Sequence, residues 1–186
     1  MSALPLHRGR LNAAAVALAA TLMMSPAIAS VSADDATLDV AVKAAFIYNF
    51  AKFTEWPVLP SGAPLIVCVA GDDGIATAVV GIVRGRNING HGLEVRRSEN
   101  ATEWHNCHLL FIGDAVHTRS AGRLNEIRTL PVLTVSDGKG FAQEGGIVEL
   151  YVENGRMRFA INTDAAARSG LRLSSRLLGL ARIVTE

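Results

Sequence analysis

The residues in this chain that could do chemistry are few, and most are spaced for something other than catalysis. Cys107 lies between His105 and His108, a grouping that invites a metal site. Metal sites need three or four converging ligands, strand alternation would turn His108 away from Cys107, and an oxidised cysteine cannot ligate. Gly71-Asp72-Asp73-Gly74 follows an apolar run and opens a helical pattern, the position where open α/β sheets hold ligands. It has neither the G-x-G-x-x-G spacing nor the Walker lysine, so Asp72 or Asp73 is expected to cap the helix instead. Ser136-Asp137-Gly138 leaves a strand without the G-x-S-x-G elbow of a hydrolase, and Asp-Gly there is turn chemistry. No close pair of carboxylates falls on one expected face. The chain reads as a non-enzyme, with no catalytic residue, metal or cofactor expected.

The C-terminal region is more suggestive, because Arg168, Arg172, Arg176 and Arg182 occur with no acid between Asp164 and Glu186. Arg168, Arg172 and Arg176 beside a helix start at Ser174 make a candidate anion or ligand site, through guanidinium forks and free N–H groups. The alternative is a solvated face whose arginine stems lie over the core.

The elements that must position these groups begin with Lys43–Pro57, where aromatic residues are far denser than in the chain as a whole. Phe46, Phe50 and Phe53 fall at i, i+4 and i+7 with Val42 one turn earlier, a single stripe on one helix face. Ile47, Tyr48, Ala44, Ala45 and Ala51 leave only Lys43, Asn49 and Lys52 for water, and a helix apolar nearly all round is buried or serves an interface. The stripe is expected on the sheet, with Ile47, Tyr48 and Ala51 as the candidate interface for a homodimer or a partner. Trp56-Pro57 ends the helix, since a residue before proline leaves the α region.

Leu65–Ala70 is a short β-branched apolar run, the mark of a strand buried on both faces. A helix over Ile75–Val83, a loop over Arg84–Gly92, and a half-wet strand over Leu93–Arg97 follow. Leu109–Ile112 and Val132–Val135 are further buried strands, with a helix from about Thr118 to Arg128 between them. Ile147–Val152 and Met157–Ile161 flank Asn154-Gly155, the dipeptide of a type I′ hairpin. Thr163 opens a short helix through Ser169, Gly170 stops it, and a last helix is expected from Ser174 to Val184, with Leu177, Leu178, Ala181 and Val184 on its apolar face. The whole predicts a three-layer α/β sandwich with a mixed, mostly parallel sheet and a C-terminal β-hairpin.

Arg8 and Arg10, an apolar run from Leu11 to Met24 and the small-residue site Ala27-Ile28-Ala29 describe a cleaved signal peptide over residues 1–29. The alternative is an uncleaved anchor, though the run is too short to span a bilayer. Residues 30–186 are then a single exported domain, periplasmic in location. Without the two leader arginines, the 18 basic residues become 16 against 17 acidic ones, which gives no support to nucleic-acid binding. Cys68 and Cys107 form an even pair, expected as a disulfide in an oxidising compartment, with two buried thiols as the alternative.

The first helix resembles the opening helix of the YfiR family of secreted bacterial proteins. Three later passages resemble it in order: Cys107-His108-Leu109-Leu110-Phe111-Ile112; Leu133-Thr134-Val135-Ser136-Asp137 with Phe141-Ala142 and Gly145-Gly146; and Arg168-Ser169-Gly170-Leu171 through Ala181-Arg182. The resemblance implies a repressor that binds the periplasmic domain of an inner-membrane diguanylate cyclase and lowers cyclic-di-GMP output, itself titrated away by an outer-membrane lipoprotein. It also implies the Cys68–Cys107 bridge. Relatives with a second cysteine pair carry it in the region of Phe141–Leu150, where this chain has none. A periplasmic module that binds a small anionic ligand is the alternative function.

Overall fold

The computed structural model describes residues 33–57 and 59–185. The expected signal peptide lies outside the described residues. Helix α1 spans Ala33–Lys52 and stops four residues before Trp56. Thr54 Oγ1 donates to the Phe50 carbonyl at 2.8 Å, satisfying one of the carbonyls that a helix end leaves free, and Thr54–Glu55 becomes the short strand β1. The chain continues through β2 (Leu65–Ala70), α2 (Asp73–Val83), β3 (Asn87–Ile88), β4 (His91–Arg97), a 3-10 turn (Ala101–Asn106) and β5 (Leu109–Ile112). Then come α3 (Asp114–Ile127), β6 (Leu133–Ser136), β7 (Val148–Glu153), β8 (Arg156–Asn162), α4 (Thr163–Arg168), β9 (Arg172–Leu173), α5 (Ser175–Leu178) and β10 (Arg182–Val184).

Eight strands form one mixed sheet in the order β10-β8-β7-β6-β5-β2-β4-β3. The run from β4 through β7 is parallel, β7 and β8 are the hairpin expected around Asn154-Gly155, and β10 joins β8 in parallel. A separate ladder pairs β1 with β9, Thr54 opposite Leu173 and Glu55 opposite Arg172. Alternation along the strands divides the core in two. Leu65, Val67, Val69, Leu109 and Phe111 meet α1 and α2 on one face. Ile66, Cys68, Ala70, Leu110 and Ile112 meet the 3-10 turn and α3 on the other. The result is the three-layer α/β sandwich. Cys68 and Cys107 are joined in a disulfide with Cα atoms 5.8 Å apart, tying β2 to the end of the 3-10 turn.

Three elements differ from the sequence expectation. Arg84–Gly92 contains β3 and the start of β4, joined through Asn89 and Gly90 at φ 51° and 87°, the same Asn-Gly hairpin turn seen at Asn154-Gly155. Helix α3 begins at Asp114 rather than Thr118, because the Asp137 carboxylate accepts the Asp114 N–H at 2.9 Å. The helix expected to reach Val184 ends at Leu178. Gly179 N–H bonds the Ser175 carbonyl at 2.9 Å, and β-branched Ile183-Val184 instead completes the sheet beside β8. Arg182 then lies 4.3 Å above the Tyr151 ring, fastening β10 to the strand beyond its neighbour.

The loop before β7 rests on a close approach. A Cβ added at Gly146 would overlap the ring of Phe141, which is wholly buried. Gly146→Ala is expected to cost about 1–3 kcal/mol through overpacking, read as a lowered thermal midpoint. An unchanged midpoint would mean that the ring has room to swing aside.

Candidate functional site

The aromatic stripe of α1 is partly core and partly open. Phe50 is wholly buried, with its ring centroid 5.2 Å from Phe159 of β8. Phe46 stands 5.7 Å from each of these rings, an arrangement that aromatic quadrupoles favour. Phe46 and Phe53 keep an open side, and with Phe159, Arg176, Leu177 and Leu180 they line an apolar cleft of about 210 Å³. Farther toward the start of α1, Leu38 and Val42 line a second cleft of about 190 Å³ with Val152 and Met157, rimmed by Asp35 and Asp39.

Residues 35, 38, 39, 42, 46, 49 and 53 repeat at three and four, so both clefts lie along one face of α1. Met157 and Phe159, two apart on β8, share the facing side of the sheet. The two clefts therefore lie in line along this side of α1, a groove in two parts. Leu38, Val152 and Leu180 are 63%, 64% and 70% exposed, so the rim of this groove offers apolar surface to whatever can cover it.

The structure takes two residues out of the expected interface. Ile47 and Ala51 have no exposed surface, because α1 packs against both the sheet and α2; a contact surface cannot include them. Tyr48 is half-buried, under the Arg86 guanidinium at 5.2 Å. Leu38 is exposed and Val42, Phe46 and Phe53 keep a partly open side, while Ala41, Ala45, Asn49 and Lys52 are exposed beside them. Sequence reasoning missed Leu38 because the helix was begun too late, although Leu38 precedes Val42 by one turn. It missed Leu180 by assigning that residue to a helix.

The arginine group is dispersed in its tasks. Ser174 Oγ accepts the Leu177 N–H at 3.2 Å as the cap of the four-residue α5, and Arg172 sits opposite Glu55 in the β1–β9 ladder. Arg168 closes the last turn of α4. Arg176 is the member of the group that lines the apolar cleft.

At the carboxyl ends of β2, β5 and β6, where a parallel sheet holds ligands, Val69, Gly71, Asp72, Asp73, Arg97 and Glu99 line a cleft of about 250 Å³, and internal pairs engage several of the polar groups. Asp72 caps α2 by accepting the Ile75 N–H at 2.9 Å. Lys43 reaches from α1 to Asp137 at 2.8 Å and to Asp39 at 2.7 Å. Burial disfavours the Lys43 charge, but the two carboxylates outweigh it and hold the ammonium above its ordinary pKa. Among the described residues no group of three or more His, Cys, Asp and Glu is placed to hold a metal ion. His105 is exposed, and His108 turns its Nδ1 to the Ile66 N–H at 3.0 Å.

A family model described as YfiR/HmsC-like matches residues 40–182. Among solved structures the chain is similar to a conserved domain protein from Vibrio cholerae O1 biovar eltor str. N16961, at 11% identity and a TM-score of 0.48. The match covers 79% of this chain and 60% of that one.

Proposed function

We propose, from the premise that the chain belongs to the YfiR/HmsC-like family, that it is a periplasmic regulatory protein that acts by docking, without catalysis of its own. Its partner in this reading is the periplasmic domain of a membrane diguanylate cyclase, which it represses, lowering cyclic-di-GMP. An outer-membrane lipoprotein competes for it, and the chain works as a homodimer. The observation that carries the reading is the apolar groove along α1, where Leu38 and Leu180 stand open on the rim. Among the described residues no helix is long and apolar enough to cross a membrane.

Leu180→Asp tests it. An open position tolerates the change within about 0.5 kcal/mol of stability, whereas a charge in the centre of an interface costs about 2 kcal/mol or more, roughly thirtyfold in affinity. The variant is expected to melt like wild type, to lose capture of the cyclase from detergent-solubilised membranes and to raise cyclic-di-GMP. Wild-type capture and wild-type cyclic-di-GMP would remove the groove from the docking surface. The small-anion alternative is favoured by Arg176 at the cleft, and a melting screen with small aliphatic and aromatic carboxylates is its test.

A further inference from the structure

The outward ridge of α1 is symmetrical about one residue. Leu38, Ala41, Ala45, Asn49 and Lys52 are exposed at intervals of three, four, four and three, and all lie within about 40° of Ala45 around the helix. Turning the helix end for end about Ala45 therefore lays the ridge on itself, Leu38 level with Lys52 and Ala41 level with Asn49. Charge follows the same reversal. Asp35 and Asp39 rim the cleft beside the start of α1. The far end carries Lys52, exposed and 5.8 Å from the Phe53 ring centroid, and exposed Arg176 on the wall of the other cleft. A face that is acidic at one end, basic at the other and apolar between is complementary to a reversed copy of itself.

We propose that a second copy of this chain covers the face, its α1 packed antiparallel on the first about a two-fold axis at Ala45. The pairing gives the homodimer of the reading above its surface, rests on that reading in this respect alone, and does not depend on the cyclase.

In this register Leu38 of each copy, an open apolar side chain, meets Asn49 and Phe53 of the other at the mouth of its apolar cleft. Asp35 and Asp39 come alongside Lys52 and Arg176 of the other copy. The remaining charges leave this polarity standing, because Lys43 is engaged inside its own copy by Asp39 and Asp137, and Glu55 sits opposite Arg172 in the β1–β9 ladder. Alanines at positions 41 and 45 let the helices approach closely, since interaxial distance follows the side chains at the contact. A parallel pairing would instead stack Asp35 on Asp35 and Lys52 on Lys52, and like charges across an interface are penalised. Any other partner must match both the spacing and the polarity with its own sequence; a second copy matches both by symmetry. The axis stands perpendicular to the plane of the two helices, so both grooves come to the same side of the pair. The Leu180 rims remain open there to a further partner.

The test is crosslinking and sedimentation of the exported chain. Both cysteines of the chain are in the bridge, so Ala45→Cys adds one reactive thiol. Arg119→Cys, exposed on α3 at the other face of the sheet, is the control. A short bismaleimide is expected to convert Ala45→Cys to a covalent dimer and to leave Arg119→Cys monomeric on denaturing gels. Ala45→Glu sets two like charges on the axis at an open position that tolerates substitution. It is expected to keep the wild-type circular dichroism and to weaken self-association at least tenfold in sedimentation equilibrium, and added salt should weaken the wild-type dimer. A wild-type chain that stays monomeric throughout the micromolar range overturns the pairing. So does a dimer that Ala45→Glu leaves intact, or one that crosslinks no better at 45 than at 119. If Ala45→Glu fails to fold, the crosslinking comparison decides. A chain that crosslinks through position 45 but captures no cyclase from solubilised membranes sinks the docking reading and leaves the pairing standing, whereas capture by a strictly monomeric wild-type chain does the reverse.

Discussion

Phe50→Ala is expected to destabilise the domain by about 3–5 kcal/mol, the range for emptying a buried aromatic site. Phe50 has no exposed surface and touches rings on both sides, Phe46 on its own helix and Phe159 on β8. Truncation leaves a void between a helix and a strand that are each held by further contacts, so the site cannot collapse fully. At about 2–4 °C per kcal/mol for a domain of this size, the thermal midpoint should fall by roughly 6–20 °C. A loss below about 1 kcal/mol in chemical denaturation would mean that α1 repacks freely on the sheet. That outcome would also undermine the groove, whose near wall is the same helix.

Removal of the disulfide in a Cys68→Ala, Cys107→Ala chain should cost about 4 kcal/mol, from the entropy regained by the unfolded chain over a separation of 39 residues. Both cysteines are nearly buried, at 3% and 4% exposure, so alanine removes little besides the link. Calorimetry should show the midpoint falling by about 8–16 °C. A double variant that melts within about 2 °C of wild type would place the stabilisation in the packing around Trp104 and Leu110 rather than in the covalent tie.

The sheet was legible because its central strands are short, continuous apolar runs. Leu65–Ala70 and Leu109–Ile112 are buried at every position, and no helix of that length would need such a run. The Cys68–Cys107 pair was legible from export chemistry and from the resemblance. Periodicity was ambiguous at the C-terminus, where Leu177, Leu178, Ala181 and Val184 fit one long helix as well as they fit the single helical turn, bend and edge strand that form. What decided there was the vacant side of β8, which is a tertiary fact. The same holds for α1. Spacing finds the Phe46, Phe50 and Phe53 stripe, but whether Ile47 or Leu38 meets water depends on α2 and on β7, elements brought alongside only by the fold. The groove joins residues of α1 to Arg176 and Leu180, over 120 positions later, and the His108 bond to Ile66 crosses 42 positions. No local pattern carries either.

The pairing of α1 with β8 has a consequence for how the chain comes to its fold. Phe50 finds Phe159 only after more than a hundred intervening residues have become available, and β10, the edge strand beyond β8, is the last regular element before the C-terminus. A polypeptide emerging from its N-terminus presents the sticky aromatic face of its first helix long before the strand that covers it has arrived. Local contacts cannot bury that face early, so assembly is governed by long-range closure, the slow and aggregation-exposed regime. Refolding yield should therefore depend steeply on protein concentration, and a chain cut short before Phe159 should be held by chaperones or degraded rather than accumulate as a smaller domain.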